Sequence, residues 1–228
     1  MTEPAAPRRY RQGVPTEVPS EPTPDATPRM RGVLHLWAFF VSLVAGAILV
    51  VTAMSWPYAV FALSVAGLFG TSALYHNVRW SKAWYARVRR ADHAMIFALI
   101  LGTYTPLFMI SLAGRGVDLL FFSTCAVAGL GVLITLLWPQ APKWVRAVVY
   151  LVVGWMGAAV APELLGALGP SGLGLLLLGG VLYSVGAVIY AIKRPDPWPD
   201  TFGYHEIFHA LVIAAVAAHF GVVAFYVV

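Results

Sequence analysis

Charge is scarce in this chain. Only 11% of its 228 residues are Asp, Glu, Lys or Arg, against about 25% in an ordinary soluble domain, while 60% are hydrophobic. That balance excludes a soluble globular class and indicates a chain that crosses a membrane several times. Cysteine is nearly missing as well. Cys125 stands alone in an apolar run, so no intrachain disulfide can form and cysteine pairing says nothing about compartment. The first 30 residues lack an apolar core and hold seven prolines among Arg, Glu, Thr and Ser. No cleavable signal peptide is expected there, and residues 1–30 read as a disordered cytosolic tail preceding a membrane domain over 31–228. The net charge of +5 does not mark a nucleic-acid partner, because the basic residues fall in short segments between apolar runs.

Those apolar runs are what the chain has in abundance. Seven stretches meet the roughly 20-residue requirement for a spanning helix: residues 33–53, 57–77, 92–112, 117–137, 143–163, 171–192 and 205–227. Pro106 lies inside the third and predicts a kink. Trp56 and Tyr58 on one side, and Trp80, Trp84, Tyr85, Trp138, Trp144 and Trp198 on the other, read as interfacial aromatic belts. Counting Lys and Arg by loop puts 14 on the side of the N-terminus and only Arg115 opposite. The expected fold is therefore an all-α integral membrane protein, a seven-transmembrane helix bundle with a cytosolic N-terminus and an extracytoplasmic C-terminus. The expected location is the cell membrane.

Ionisable side chains within such spans are costly and mark function by default. The run Tyr204-His205-Glu206-Ile207-Phe208-His209 opens the last span. Its two histidines, four residues apart, share a helix face, which suits a divalent metal, ordinarily Zn²⁺. The expected topology brings His76 and, one turn deeper, Ser72 to the same leaflet from the second span, and Asp92 and His93 from the third. Three segments thus converge on one depth. The expected zinc ligands are His76, His205 and His209, three imidazoles with an open position, an arrangement that lowers the pKa of bound water to about 7. Asp92 is expected to be the general base or an acceptor that orients the water, and Ser72 a hydrogen-bonding partner for water or an oxyanion. For an isolated Asp92, capping of the third helix is the competing reading; for Ser72 it is helix packing. Glu206 completes an H-E-x-x-H pattern, whose Glu serves as the base in zinc proteases. His219 lies about 15 Å deeper, too far to share the metal, and is expected to bond across helices or line a cavity. His35 is expected to be structural.

These residues resemble a known family, the hemolysin III branch of the progestin and adipoQ receptor family. The resemblance runs over residues 30–228. It rests on Ser72-Ala73-Leu74-Tyr75-His76, on Asp92-His93-Ala94-Met95-Ile96-Phe97 continuing to Gly102-Thr103-Tyr104-Thr105-Pro106, and on His205-Glu206-Ile207-Phe208-His209 with His219-Phe220 beyond. It implies seven helices, zinc on His76, His205 and His209, Asp92 bonded to the zinc-bound water, and no shared role for Glu206. Arg31 stands where the family pattern before the first span has Asn. The resemblance also implies kinship with alkaline ceramidases, and hence a zinc-dependent hydrolase of a membrane lipid amide or ester in membrane-lipid homeostasis. The membrane lipid is then the expected partner. A sensor or receptor with a structural zinc is the leading alternative. A pore-forming haemolysin has little support, since the spans lack a polar stripe.

Overall fold

The computed structural model describes residues 28–227 and, among them, is built from helices without a strand. The proposed tail lies outside these residues except for its last three. Helix α1 runs Val33–Ala53, α2 Trp56–Asn77, α3 Lys82–Pro106, α4 Asp118–Leu137, α5 Lys143–Trp155, α6 Ala161–Ile192 and α7 Tyr204–Phe225. Pro57 occupies the first turn of α2, where its missing N–H costs nothing. At Pro106, where a kink is expected, the helical pairing changes. The proline ring removes one backbone donor, and the chain leaves α-helical pairing for one π turn, Leu107–Ser111.

One expected boundary is corrected. Residues 82–91, read as loop, form the first turns of α3, which begins ten residues before Asp92. Ala, Arg, Lys and Trp in this stretch are adequate helix formers, and its charged side chains reach solvent beyond the apolar part. Asp92 is consequently no first-turn residue, and the capping explanation for its presence falls away.

Six helical stretches among the described residues are long and apolar enough to cross a membrane. Five correspond to the expected first, second, third, fourth and seventh spans. The expected fifth and sixth lie within the one stretch Lys143–Ile192, of 50 residues and mean hydropathy 2.2. That stretch is not straight. A short 3₁₀ segment, Met156–Val160, follows α5, and Gly169 at φ 67° and ψ 175° breaks α6 just before Pro170. The Trp155 ring lies against Gly180, and its Nε1 donates to Ser184 Oγ at 2.9 Å, so α5 packs against the second half of α6.

The outer surface is a belt of exposed apolar side chains, among them Trp37, Val44, Leu63, Leu119 and Phe122. Lipid tails are as apolar as these residues, so the helices are held together by close packing instead. Gly102 of α3 admits Ser64 of α2, and Gly131 of α4 admits the Phe97 ring of α3. Buried threonines return their hydroxyls to their own helix, Thr103 to the Leu99 carbonyl and Thr135 to that of Gly131. This packing sets α2 against α3 and α3 against α4.

Candidate metal centre

His76 comes from the last turn of α2, and His205 and His209 from the first two turns of α7. Their ligand nitrogens all lie within 4.8 Å of one another. The Nε2 atoms of His76 and His205 are 3.3 Å apart. Two imidazole nitrogens on a tetrahedral ion at 2.0–2.1 Å would stand about 3.3 Å apart, so this pair is spaced as it would be on a zinc-sized cation, with the His209 nitrogen within 4.8 Å of both. Three further His/Cys/Asp/Glu side chains at comparable spacing do not occur elsewhere among the described residues. His209 is buried, and His76 and His205 are half-buried.

A supporting layer holds these rings. The His35 ring from α1 stacks on His209 with centroids 3.8 Å apart and planes 10° from parallel. Its Nδ1 pairs with Ser72 Oγ at 2.8 Å. Ser72 thereby links to His35, whose ring packs flat on that of His209. His35, expected to be structural, thus lies in direct contact with one of the three clustered histidines. No spacing rule links residue 35 to residue 209, so only three-dimensional contact reveals the stack.

Glu206 is fully buried, and both its oxygens are engaged away from the histidines. Oε1 accepts from Arg31 Nε, and Oε2 accepts from the Gly203 backbone N–H at 2.8 Å. The carboxylate of the H-E-x-x-H pattern is thus engaged in an ion pair and in the first turn of α7. Arg31 lies on a segment whose neighbours Arg29 and Met30 donate backbone N–H groups to the carbonyls of Asp200 and Thr201. The segment before α1 is thereby laced to the approach to α7. Removing one partner of a buried pair leaves the other uncompensated. Arg31→Gln is therefore expected to cost about 3 kcal/mol in denaturant titrations in micelles. Glu206→Gln should cost less, because its amide oxygen still accepts from Gly203.

Asp92 is not one of the clustered ligands. With Ser72, His35, His205 and His209 it lines a cavity of about 140 Å³. The cavity continues between α3, α5, α6 and α7 along apolar side chains such as Leu99, Leu151 and Val212 to His219. There His219 Nε2 donates to the Leu176 carbonyl at 3.1 Å, so it bonds across helices and lines the cavity together. A polar end lined by His35, His93, His205, His209 and the Asp92 carboxylate thus continues into a largely apolar interior.

Comparison with known proteins agrees with this geometry. The family model for haemolysin-III-related proteins matches residues 26–220. The chain is 33% identical over 172 residues to "Hemolysin-3 homolog" of Bacillus subtilis (strain 168), covering 75% of this chain and 77% of that one. It is 31% identical to "Hemolysin-3" of Bacillus cereus, with 75% and 74% covered. More distantly, "Adiponectin receptor protein" of Drosophila melanogaster is 27% identical over 66% of this chain and 38% of its own. A helical membrane bundle, three histidines meeting across α2 and α7 and a family match over most of the length all lead to one assignment: this chain is a multi-pass cell-membrane protein of the haemolysin-III-related family, within the wider group that includes the adiponectin receptors.

Proposed function

We propose that His76, His205 and His209 hold a zinc ion and that the protein is a zinc-dependent hydrolase of a membrane lipid amide or ester, serving membrane-lipid homeostasis. The observation that carries this reading is the meeting of three ligand nitrogens within 4.8 Å, two of them on His205 and His209, which line a largely apolar cavity together with Asp92. Bound to His76, His205 and His209, a zinc ion would supply Lewis-acid polarisation of a carbonyl and acidification of water. The chain's own residues would do the rest. Asp92 accepts a proton from the water attacking the acyl carbon and returns it to the leaving nitrogen or oxygen. Ser72, turned by His35, donates or accepts at the edge of the site. The apolar interior takes the acyl chain and keeps bulk water out. His35 and Glu206 fix the rings and the first turn of α7.

The same reading has the Lys143–Ile192 stretch cross twice, turning at Gly169, because a straight 50-residue helix would run about 75 Å against a hydrocarbon layer of about 30 Å. Seven crossings and the excess of Lys and Arg on one side then put the N-terminus, and the histidine end, at the cytosol.

The test is release of fatty acid from a ceramide presented in micelles with purified protein. Release is expected to stop on chelation and to return when zinc is restored. Zinc-loaded protein that cleaves neither amide nor ester lipids would leave the second reading, a receptor with a structural zinc. The relative named adiponectin receptor favours that reading.

A further inference from the structure

A second cavity, of about 150 Å³, lies at the same end of the bundle, between the first turns of α3, the end of α4 and the start of α5. Arg89, Arg90 and His93 line it from α3, Thr135 from α4, Gln140 from the following loop and Arg146 from α5. Arg146 is only 6% exposed. Its Nη1 donates to the Pro139 carbonyl at 3.3 Å, and its Nε is buried without a partner among the described residues. Arg90 Nε is buried without a partner as well. The two ion pairs among the described residues are Arg31–Glu206 and His93–Asp92, so none of these three arginines meets a carboxylate.

The plain account of arginines here is the bias of short loops toward positive charge, with side chains snorkelling to water. It covers the exposed Arg79, Lys82 and Arg87. It does not cover a buried guanidinium aimed into a cavity, since arginine stays charged and an uncompensated buried charge is costly.

We propose that Arg89, Arg90 and Arg146 form a binding site for a phosphate group. Guanidinium forks match phosphate oxygens in pairs and keep their charge in poorly solvated places. The exposed Trp138 and Trp144 flank the lining residues Pro139 and Arg146 in sequence, and tryptophans of this kind mark the lipid headgroup region, where a basic pocket between helices takes an anionic headgroup. A phospholipid headgroup and a free phosphate share the recognised chemistry. His93 walls both cavities, so a phosphate held here is one imidazole away from Asp92.

The experiment measures equilibrium binding to the full-length protein in maltoside micelles. The probes are dioctanoyl phosphatidic acid, inorganic phosphate as competitor and dioctanoylglycerol as the phosphate-free control. Wild type is expected to bind phosphatidic acid saturably, with affinity falling as salt is raised. Arg90→Gln and Arg146→Gln should each weaken it at least tenfold. Lys82→Gln, the same charge change at an exposed position, should leave it intact. Zinc content should be the same in all four proteins, which keeps this result separate from the fate of the metal centre. Competition by inorganic phosphate supports the site with a soluble phosphate as occupant, and binding that phosphate cannot displace supports it with the headgroup. Equal binding of dioctanoylglycerol, no saturable binding, or an equal loss in Lys82→Gln overturns the proposal. Should Arg146→Gln fail to fold, Arg90→Gln at a half-buried position still decides.

Discussion

His209→Ala is expected to empty the protein of zinc while leaving it folded. Elemental analysis of the micelle-purified wild type should give about one zinc per chain, and the variant close to none. The reason is the geometry of the site. His209 is the most deeply buried of the three, and the remaining pair, His76 and His205, supplies two donors where a stable zinc site needs three or four. Loss of an outer partner already lowers metal affinity by about 10- to 100-fold, so loss of a ligand should exceed that. Folding should survive, because α7 is apolar and packed along its length through Val212, Val216, Val222 and Val223. His219→Ala is the control: it removes an imidazole from the same helix and the same cavity, ten residues away, and should keep the metal. A folded wild type that takes up no zinc when supplied would sink the centre. The histidines would then be a hydrogen-bonded packing cluster.

The second large effect is expected from Asp92→Asn. With zinc retained at wild-type level, lipid hydrolysis should fall by about 10²- to 10⁴-fold, the usual contribution of a positioned general base. The amide preserves the size and most of the hydrogen bonding of the side chain, so the loss should appear in kcat with KM little changed. Unchanged turnover by a zinc-replete Asp92→Asn would remove Asp92 from the chemistry. Loss of both zinc and turnover would make it a residue that supports the metal. Ser72→Ala is the milder companion, since its hydroxyl meets His35.

How far the sequence foretold this structure depends on the range of the interaction in question. Helices α1, α2 and α4 stand within a residue or two of their expected bounds, because apolar length and flanking breakers are local properties. Pro106 was legible as a distortion for the same reason, though not as a π turn. The start of α3 was missed because hydropathy tracks the apolar part alone, and Lys82 to Ala91 are helical without being apolar. Gly169 was not singled out, since positive φ at a glycine leaves no mark in composition. In the site, the gathering of His76, His205 and His209 was foreseen from depth and helix spacing. The His35–His209 stack and the Arg31–Glu206 pair were not. Each joins residues more than 170 positions apart whose side chains look ordinary one at a time. Arg31 had been visible only as a departure from a family pattern, and the structure supplies the partner that makes sense of it.

The division of the site between α2 and α7 also bears on how the protein is made. His76 and His205 are 129 residues apart, and two of the three nitrogens belong to the last of the described helices. At synthesis rates of about 5–20 residues per second, roughly ten seconds separate the emergence of the first histidine from that of the other two. Throughout that interval the nascent chain presents only one of the three clustered imidazoles. For a zinc held as proposed, capture has to wait for α7, and chains arrested before it are expected to leave the insertion machinery without the metal.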